Sequence, residues 1–278
     1  MPSDLSDALS FARRVARRAG AAAMAHYGTA EAKAKSGGSP VTAADHAANA
    51  VIVDAIRAAY PSDAILSEES KDSPDRLGAS RVWIIDPLDG TKEFLARNGE
   101  FSIMIGLAID GEPVLGVVYM PDGDRLYAAA RGLGATVEIQ CEKQGLRTDR
   151  NHWPPRMVGS RSHADELTLR IRDALGVTDV APSGSVGVKC ALIAEGKRDL
   201  YVHPVPYLKE WDTCAPEVVL REAGGEIADC LGEPLRYNKP DPCQPHGILA
   251  CAPGIMDRVK DTVRSVYESR PAGAGAGV

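Results

Sequence analysis

The chain has 278 residues, 44% of them hydrophobic, enough for one large or two packed domains with a substantial core. Its 32 basic and 38 acidic side chains give a formal charge of -6, which argues against a general binder of nucleic acid or acidic membrane. Met1 to Ser10 lacks a basic flank followed by an apolar run, and no stretch approaches roughly 18 apolar residues, so neither a secretory signal nor a membrane span is expected. The six scattered cysteines form no Cys-x-x-Cys pair, and a reduced cytoplasmic protein is the simplest reading.

Residues 4–27 read as an amphipathic helix, with Leu5, Leu9, Ala12, Val15, Ala16 and Ala19 at helical spacing. Arg13, Arg14, Arg17 and Arg18 fall between them and read as a solvated face. Lys33 to Pro40 reads as a mobile loop. Thr42-x-x-Asp45 resembles a capping box opening a second helix, which Tyr60-Pro61 ends. Ala64–Leu66 and Val82–Ile85 are apolar runs of buried-strand type. Phe101–Ile109 and Pro113–Met120 read as strands joined by an Asp110-Gly111 hairpin turn, with Leu126–Ala129 as a third strand.

Arg147 to Pro155 is polar and contains Pro154-Pro155, so the boundary between halves is placed there: residues 1–150, then 151–270, then a Gly/Ala-rich disordered tail from 271 to 278. In the second half, Met157-Val158 and Leu200–His203 read as strands, and Asp165–Leu175 and Gly187–Glu195 as helices. A helix from Ala215 to Ala223 ends at Gly224-Gly225, followed by another strand.

The chemistry centres on Asp86-Pro87-Leu88-Asp89-Gly90-Thr91. Two aspartates where a strand leaves the core can converge on hard cations, and oxygen-only ligands favour magnesium or manganese over zinc. Gly90 and Thr91 open a short helix, Lys92 to Arg97, whose first N–H groups can bind phosphate oxygens. Cation ligands and anion donors side by side suit phosphoryl transfer. Taken singly, each piece has a plainer reading: Asp89-Gly90 an ordinary turn, Asp45 and Asp212 helix caps, Glu68-Glu69 solvated surface charge.

Together, Asp45, Glu68-Glu69, Asp86 to Thr91, Trp211-Asp212, eleven further residues and Gly224-Gly225 resemble the signature of the lithium-sensitive, metal-dependent phosphatases. That superfamily includes inositol monophosphatases, fructose bisphosphatases and 3'(2'),5'-bisphosphate nucleotidases. The resemblance covers roughly residues 5–260. It implies an α/β fold, a layered αβαβα sandwich of the inositol monophosphatase and fructose bisphosphatase type, with the site between the two halves. It also implies two or three magnesium ions, held by Glu68, Asp86, the Leu88 carbonyl, Asp89 and Asp212. The amides of Gly90 and Thr91 would bind the scissile phosphate, and Asp45 with Thr91 would deprotonate the attacking water.

Glu210 to Leu220 is similar to the bisphosphate nucleotidase form of the Trp-Asp segment, and Val205 stands where inositol monophosphatases carry an acidic inositol contact. Ser160 and His163, in a Ser-Arg-Ser-His run, Ser185 and Lys209 match nucleotide-contacting positions of that branch. The substrate implied is 3'-phosphoadenosine 5'-phosphate, cleaved to adenosine 5'-phosphate, with inhibition by lithium. The alternatives are an inositol- or sugar-phosphate monophosphatase, or a non-catalytic nucleotide- or metal-binding member, against which the intact acidic set argues. No nucleic-acid or membrane partner is implied; a homodimer is compatible with the family.

Overall fold

The computed structural model of the chain describes residues 2–34, 40–148, 152–161 and 165–269. His163, the centre of the 33–40 loop and the tail from Pro271 lie outside the described residues.

Two long helices, α1 (Pro2–Met24) and α2 (Ala43–Ala59), flank a short ladder of β1 (Lys33–Ala34) and β2 (Pro40–Val41). The described ends of the expected loop are thus paired as strands. Fully buried alanines line both helices (Ala8, Ala12, Ala16, Ala19 and Ala23; Ala44 and Ala48), which lets the helix axes lie close to their neighbours. Arg14 and Arg18 of α1 are exposed as expected, but two of the four are not simply solvated: Arg17 Nη2 meets Glu138 Oε2 at 2.7 Å, and Arg13 pairs with the same carboxylate. One glutamate on a neighbouring strand therefore captures two charges that the sequence pattern assigned to water.

The first sheet runs β3 (Ala64–Ser67), β4 (Arg81–Asp89), β5 (Ser102–Ile109), β6 (Glu112–Met120), β7 (Arg125–Ala130), β8 (Gly134–Ile139) and β9 (Glu142–Leu146), in that spatial order. Only β3 and β4 pair in parallel. Both residues of the Asp110-Gly111 turn have positive φ, 52° and 78°, as a tight hairpin between right-twisted strands requires. Side chains alternate between two cores. Trp83 and Ile85 of β4 join α1 and α2, while Val82 and Ile84 join the core on the other face. The short helix α3 (Thr91–Ala96) links β4 to β5.

The second sheet has the order β11 (Val180–Ser183), β10 (Met157–Ser160), β12 (Leu200–His203), β14 (Ile248–Cys251), β13 (Glu226–Ala228). It is mixed: β10 is parallel to β11 and β12, and β14 is antiparallel to both neighbours. Between the sheets lie α5 (Val186–Ala194) and α6 (Glu210–Glu222); α4 (Glu166–Ala174) and α7 (Met256–Glu268) pack together beyond the second sheet. The result is a five-layer αβαβα sandwich. No helix among the described residues is long and apolar enough to cross a membrane.

The seating of α6 decides where the site forms. A Cβ on Gly116 of β6 would stand 2.2 Å from the Ala215 carbonyl oxygen, and one on Gly106 of β5 would stand 2.5 Å from Cys214 Sγ. Both glycines let the helix rest directly on the sheet backbone. The helix also starts earlier than Ala215, at Glu210, and carries Pro216 within it. Pro216 is the seventh residue of α6, past the first four N–H groups that lack a partner, so it removes the bond its N–H would have made to the Asp212 carbonyl.

Candidate active site

A register shift in the β4–β5 ladder creates the acidic centre. Asp86 pairs with Met104 and Asp89 with Ser102, so three steps along β4 answer two along β5. In a regular strand, residues three apart point to opposite faces; the extra residue returns Asp89 to the side of Asp86. The Leu88 amide donates to Asp86 Oδ1 at 2.9 Å and shapes the turn. Gly90 follows with φ 97°, where a Cβ would meet Glu100 O at 3.0 Å and Phe101 Cα at 3.3 Å, so glycine is required there on both counts.

Asp212 arrives from α6. It sits in the first turn, three residues after Lys209, and its Oδ2 accepts the Lys209 amide at 2.5 Å. Each of Asp86, Asp89 and Asp212 offers an oxygen within 4.8 Å of the others. Glu68, just past β3, lies outside that group but lines the same cleft of about 170 Å³, with Pro40, Leu88, Gly90, Thr91 and Lys92. Burial, and then the charges of Glu68, Asp89 and Asp212, push the Asp86 carboxyl well above the ordinary carboxylate range. Burial, Asp89 and Glu68 do the same to Asp212, against the opposing pull of the Lys209 amide and ammonium. Acids so crowded fit a hard divalent cation, which would remove the repulsion, and their all-oxygen donor set selects magnesium or manganese.

Asp45, buried on α2, stands behind the cleft wall and meets it through Thr91. Its Oδ2 accepts the Thr42 amide at 2.8 Å and the Thr42 hydroxyl at 2.7 Å, while its Oδ1 accepts the Thr91 hydroxyl at 3.1 Å. The capping role and the relay role are therefore divided between two oxygens of one carboxylate. Asp45 and Asp212 occupy the same position in their helices, the third residue, each with one oxygen spent on the cap.

The three described residues matched to nucleotide contacts, Ser160, Ser185 and Lys209, are dispersed. Ser185 is buried at the start of α5 with φ 27°; its hydroxyl donates to Asp89 Oδ2 at 2.5 Å, lies 2.9 Å from Ser102 Oγ and accepts the Val188 amide at 3.1 Å. The Gly187 amide adds a second bond to Asp89 Oδ2, at 3.1 Å. Buried Lys189 donates to the Gly184 and Ser185 carbonyls at 2.5 and 3.1 Å, pinning that turn. Ser160 instead lines a separate, mostly apolar cavity of about 100 Å³ with Thr168, Arg172 and His203. Lys209 stands half-buried beside Asp212. Sequence reading passed over Lys92 and Pro40 of the cleft wall; Lys92 directly follows Thr91, and its position in that motif was the available signal.

A carboxylate cluster of hard oxygen donors, beside an acid–hydroxyl pair and a helix start, is the arrangement that a metal-dependent phosphatase needs. The inositol monophosphatase family matches residues 4–264, and the chain belongs to it. It is 42% identical over 228 residues to the 3'(2'),5'-bisphosphate nucleotidase CysQ of Escherichia coli, a match covering 81% of this chain and 91% of that one. It is 34% identical to the 3'-phosphoadenosine 5'-phosphate phosphatase of Mycobacterium leprae, over 81% of this chain and 83% of that protein. The crystal structure of CysQ from Bacteroides thetaiotaomicron superposes with a TM-score of 0.76 at 33% identity, covering 89% of this chain and 97% of that one.

Proposed function

We propose that this chain is a magnesium-dependent phosphomonoesterase that hydrolyses the 3'-phosphate of 3'-phosphoadenosine 5'-phosphate, yielding adenosine 5'-phosphate and inorganic phosphate. The observation that carries the reading is the convergence of Asp86, Asp89 and Asp212 within 4.8 Å beside the Asp45–Thr91 pair. The nucleotidase names of relatives at 34–42% identity support the substrate.

In this reading Glu68, Asp86, the Leu88 carbonyl, Asp89 and Asp212 hold two or three magnesium ions. Magnesium supplies charge neutralisation at the phosphate and an acidified water. Gly90 and Thr91 stand at the start of α3, where backbone N–H groups have no partner within the helix, and orient the scissile phosphate. Thr91 Oγ1 takes a proton from the attacking water as it passes its own to Asp45 Oδ1. Asp45 can wait in that position because Thr42 fixes its other oxygen. Ser185 and Gly187 hold Asp89 in place. Lys209 takes the phosphate that is not cleaved, and Ser160 and His163 are the further contacts assigned to the nucleotide. The cytoplasm is the compartment proposed, a reading supported by six cysteines, none of them in a disulfide. A homodimer is part of the proposal, testable by sedimentation.

The deciding experiment is phosphate release with magnesium from 3'-phosphoadenosine 5'-phosphate, inositol 1-phosphate and fructose 1,6-bisphosphate, each with and without lithium. A kcat/KM at least about tenfold higher on the nucleotide, roughly 1.4 kcal/mol of transition-state preference, is expected. Preference for inositol 1-phosphate would leave the metal chemistry standing and replace the substrate.

A further inference from the structure

The start of α6 is gripped by a turn that no part of the mechanism uses. Glu210 is fully buried, and its two oxygens accept successive backbone amides, Asn238 N at 2.7 Å and Lys239 N at 2.9 Å. Asn238 adopts a left-handed conformation, φ 57°, which is how two consecutive N–H groups come to face one carboxylate. The Glu210 amide donates back to Pro242 O at 2.8 Å. Asp212 lies two residues further on, so whatever fixes Glu210 fixes the carboxylate that the second half of the chain brings to the metal cluster.

The same turn is held from its other side by Arg76. Its guanidinium donates to Asn238 Oδ1 and to Lys239 O, both at 2.9 Å, and the Asn238 side-chain amide donates to Arg76 O at 2.9 Å. Asp72 fixes the guanidinium with two further bonds, at 2.7 and 2.9 Å. Arg76 is 3% exposed and lies between Glu68 and β4, on the segment that joins two metal-ligand positions. Hydrogen bonds therefore run from Asp72 through Arg76 and the 238–239 turn to Glu210, and short stretches of backbone carry the connection on to Glu68 at one end and to Asp212 at the other.

We propose that Arg76 and Glu210 are positioning residues that grip the 238–239 turn from opposite sides and so set the spacing between Asp212 and the Glu68–Asp86 side of the metal cluster. The inference rests on the reading of that cluster as a divalent-metal site. Neither residue touches substrate or metal; each acts through the turn. Charge alone is not sufficient for Arg76, because its planar fork makes bonds in two directions at once, toward Asp72 and toward the turn, which a lysine ammonium does not reproduce.

The test is titration of the purified full-length protein with Mn2+ in the absence of substrate, free Mn2+ being followed by its electron paramagnetic resonance signal, with thermal melts alongside. Arg76→Met and Glu210→Gln are each expected to weaken Mn2+ binding about tenfold while the metal-free protein still melts cooperatively. Arg76→Lys is expected to restore little. The double variant should bind no more weakly than the weaker single one, because both act on one turn. If either single variant fails to fold, Asn238→Ala, which removes the side-chain bonds to Arg76, replaces it in the same titration with the same expectation. Folded single variants that bind Mn2+ within twofold of the wild type overturn the proposal, as does strict additivity in the double variant. Wild-type protein that binds no Mn2+, or Asp89→Asn that binds it as well as the wild type, shows instead that the metal-site reading has failed, and the proposal falls with it.

Discussion

Thr91 donates its hydroxyl to Asp45 Oδ1 across 3.1 Å, while Asp45 Oδ2 is held by both the amide and the hydroxyl of Thr42. The two oxygens of one carboxylate are thereby given separate work, and substitutions can separate the two. Thr91→Ser keeps the hydroxyl and is expected to retain most activity. Thr91→Ala is expected to lower kcat by about 10²–10⁴ with little change in melting temperature. Asp45→Asn should lose activity similarly and also about 1 kcal/mol of stability through the weakened cap. Steady-state kinetics paired with thermal melts check all three; Thr91→Ala with near-normal kcat would remove the relay.

Metal removal should expose the repulsion among the carboxylates. Asp86 and Asp212 hold protons more tightly in the folded chain than in the unfolded one. In chelator, stability therefore falls as pH rises from their ordinary value of 3.8 toward the raised folded values. Magnesium binds the native state and opposes that loss, so its stabilising effect should be larger at pH 8 than at pH 5.5. Asp89→Asn removes one of the repelling charges. It should abolish nearly all turnover yet melt no lower than wild type in chelator. Differential scanning fluorimetry across pH, with and without magnesium, tests this; a magnesium effect that shrinks as pH rises would contradict it.

A second pH effect belongs to Glu217, five residues beyond Asp212 and fully buried. Burial pushes its carboxyl from 4.5 up to about 7, although Arg221 and the Tyr237 hydroxyl, 2.5 Å from its Oε2, pull the other way. A carboxyl raised on folding contributes stability that is lost as pH climbs from about 4.5 to about 7. Glu217→Gln should flatten that part of the profile for magnesium-saturated protein. Denaturant unfolding at pH 5 and pH 8 measures it, and an unchanged slope would show that Glu217 does not titrate there.

Gly116→Ala places a methyl group 2.2 Å from the Ala215 carbonyl, so α6 must lift from β6. The expected cost is about 1–3 kcal/mol of stability. Because α6 carries Asp212, Mg2+ affinity measured by calorimetry should fall as well. Destabilisation with unchanged affinity would separate the seating of the helix from the geometry of the site.

Lys209→Ala should raise KM for 3'-phosphoadenosine 5'-phosphate while sparing a simple phosphate monoester, because an ammonium beside Asp212 is available to a second phosphate. Parallel kinetics on the two substrates decide the point. An equal loss on both would assign Lys209 to the cleavage site itself.

The motifs that carry the chemistry were legible along the chain, because turn and cap chemistry is local. Thr42-x-x-Asp45 forms the capping box and Gly224-Gly225 follows the helix stop as read, while at Asp86 to Thr91 the strand runs on to Asp89, four residues past Ile85, before the short helix starts at Thr91. Their resemblance to a family also announced the layered fold. What no local pattern contains is spacing across the fold. The extra residue in the β4–β5 ladder depends on a partner strand, and the seat of α6 depends on two glycines about a hundred residues earlier. Ser185 matched a nucleotide contact by position, yet its hydroxyl lies on Asp89, because only packing determines which group a side chain meets. Arg76 and Glu210 showed nothing in sequence but an arginine and a glutamate. Bonds from Arg76 to residues 162 and 163 positions away, and from Glu210 to the same turn, have no periodicity to betray them, and only the tertiary structure joins them.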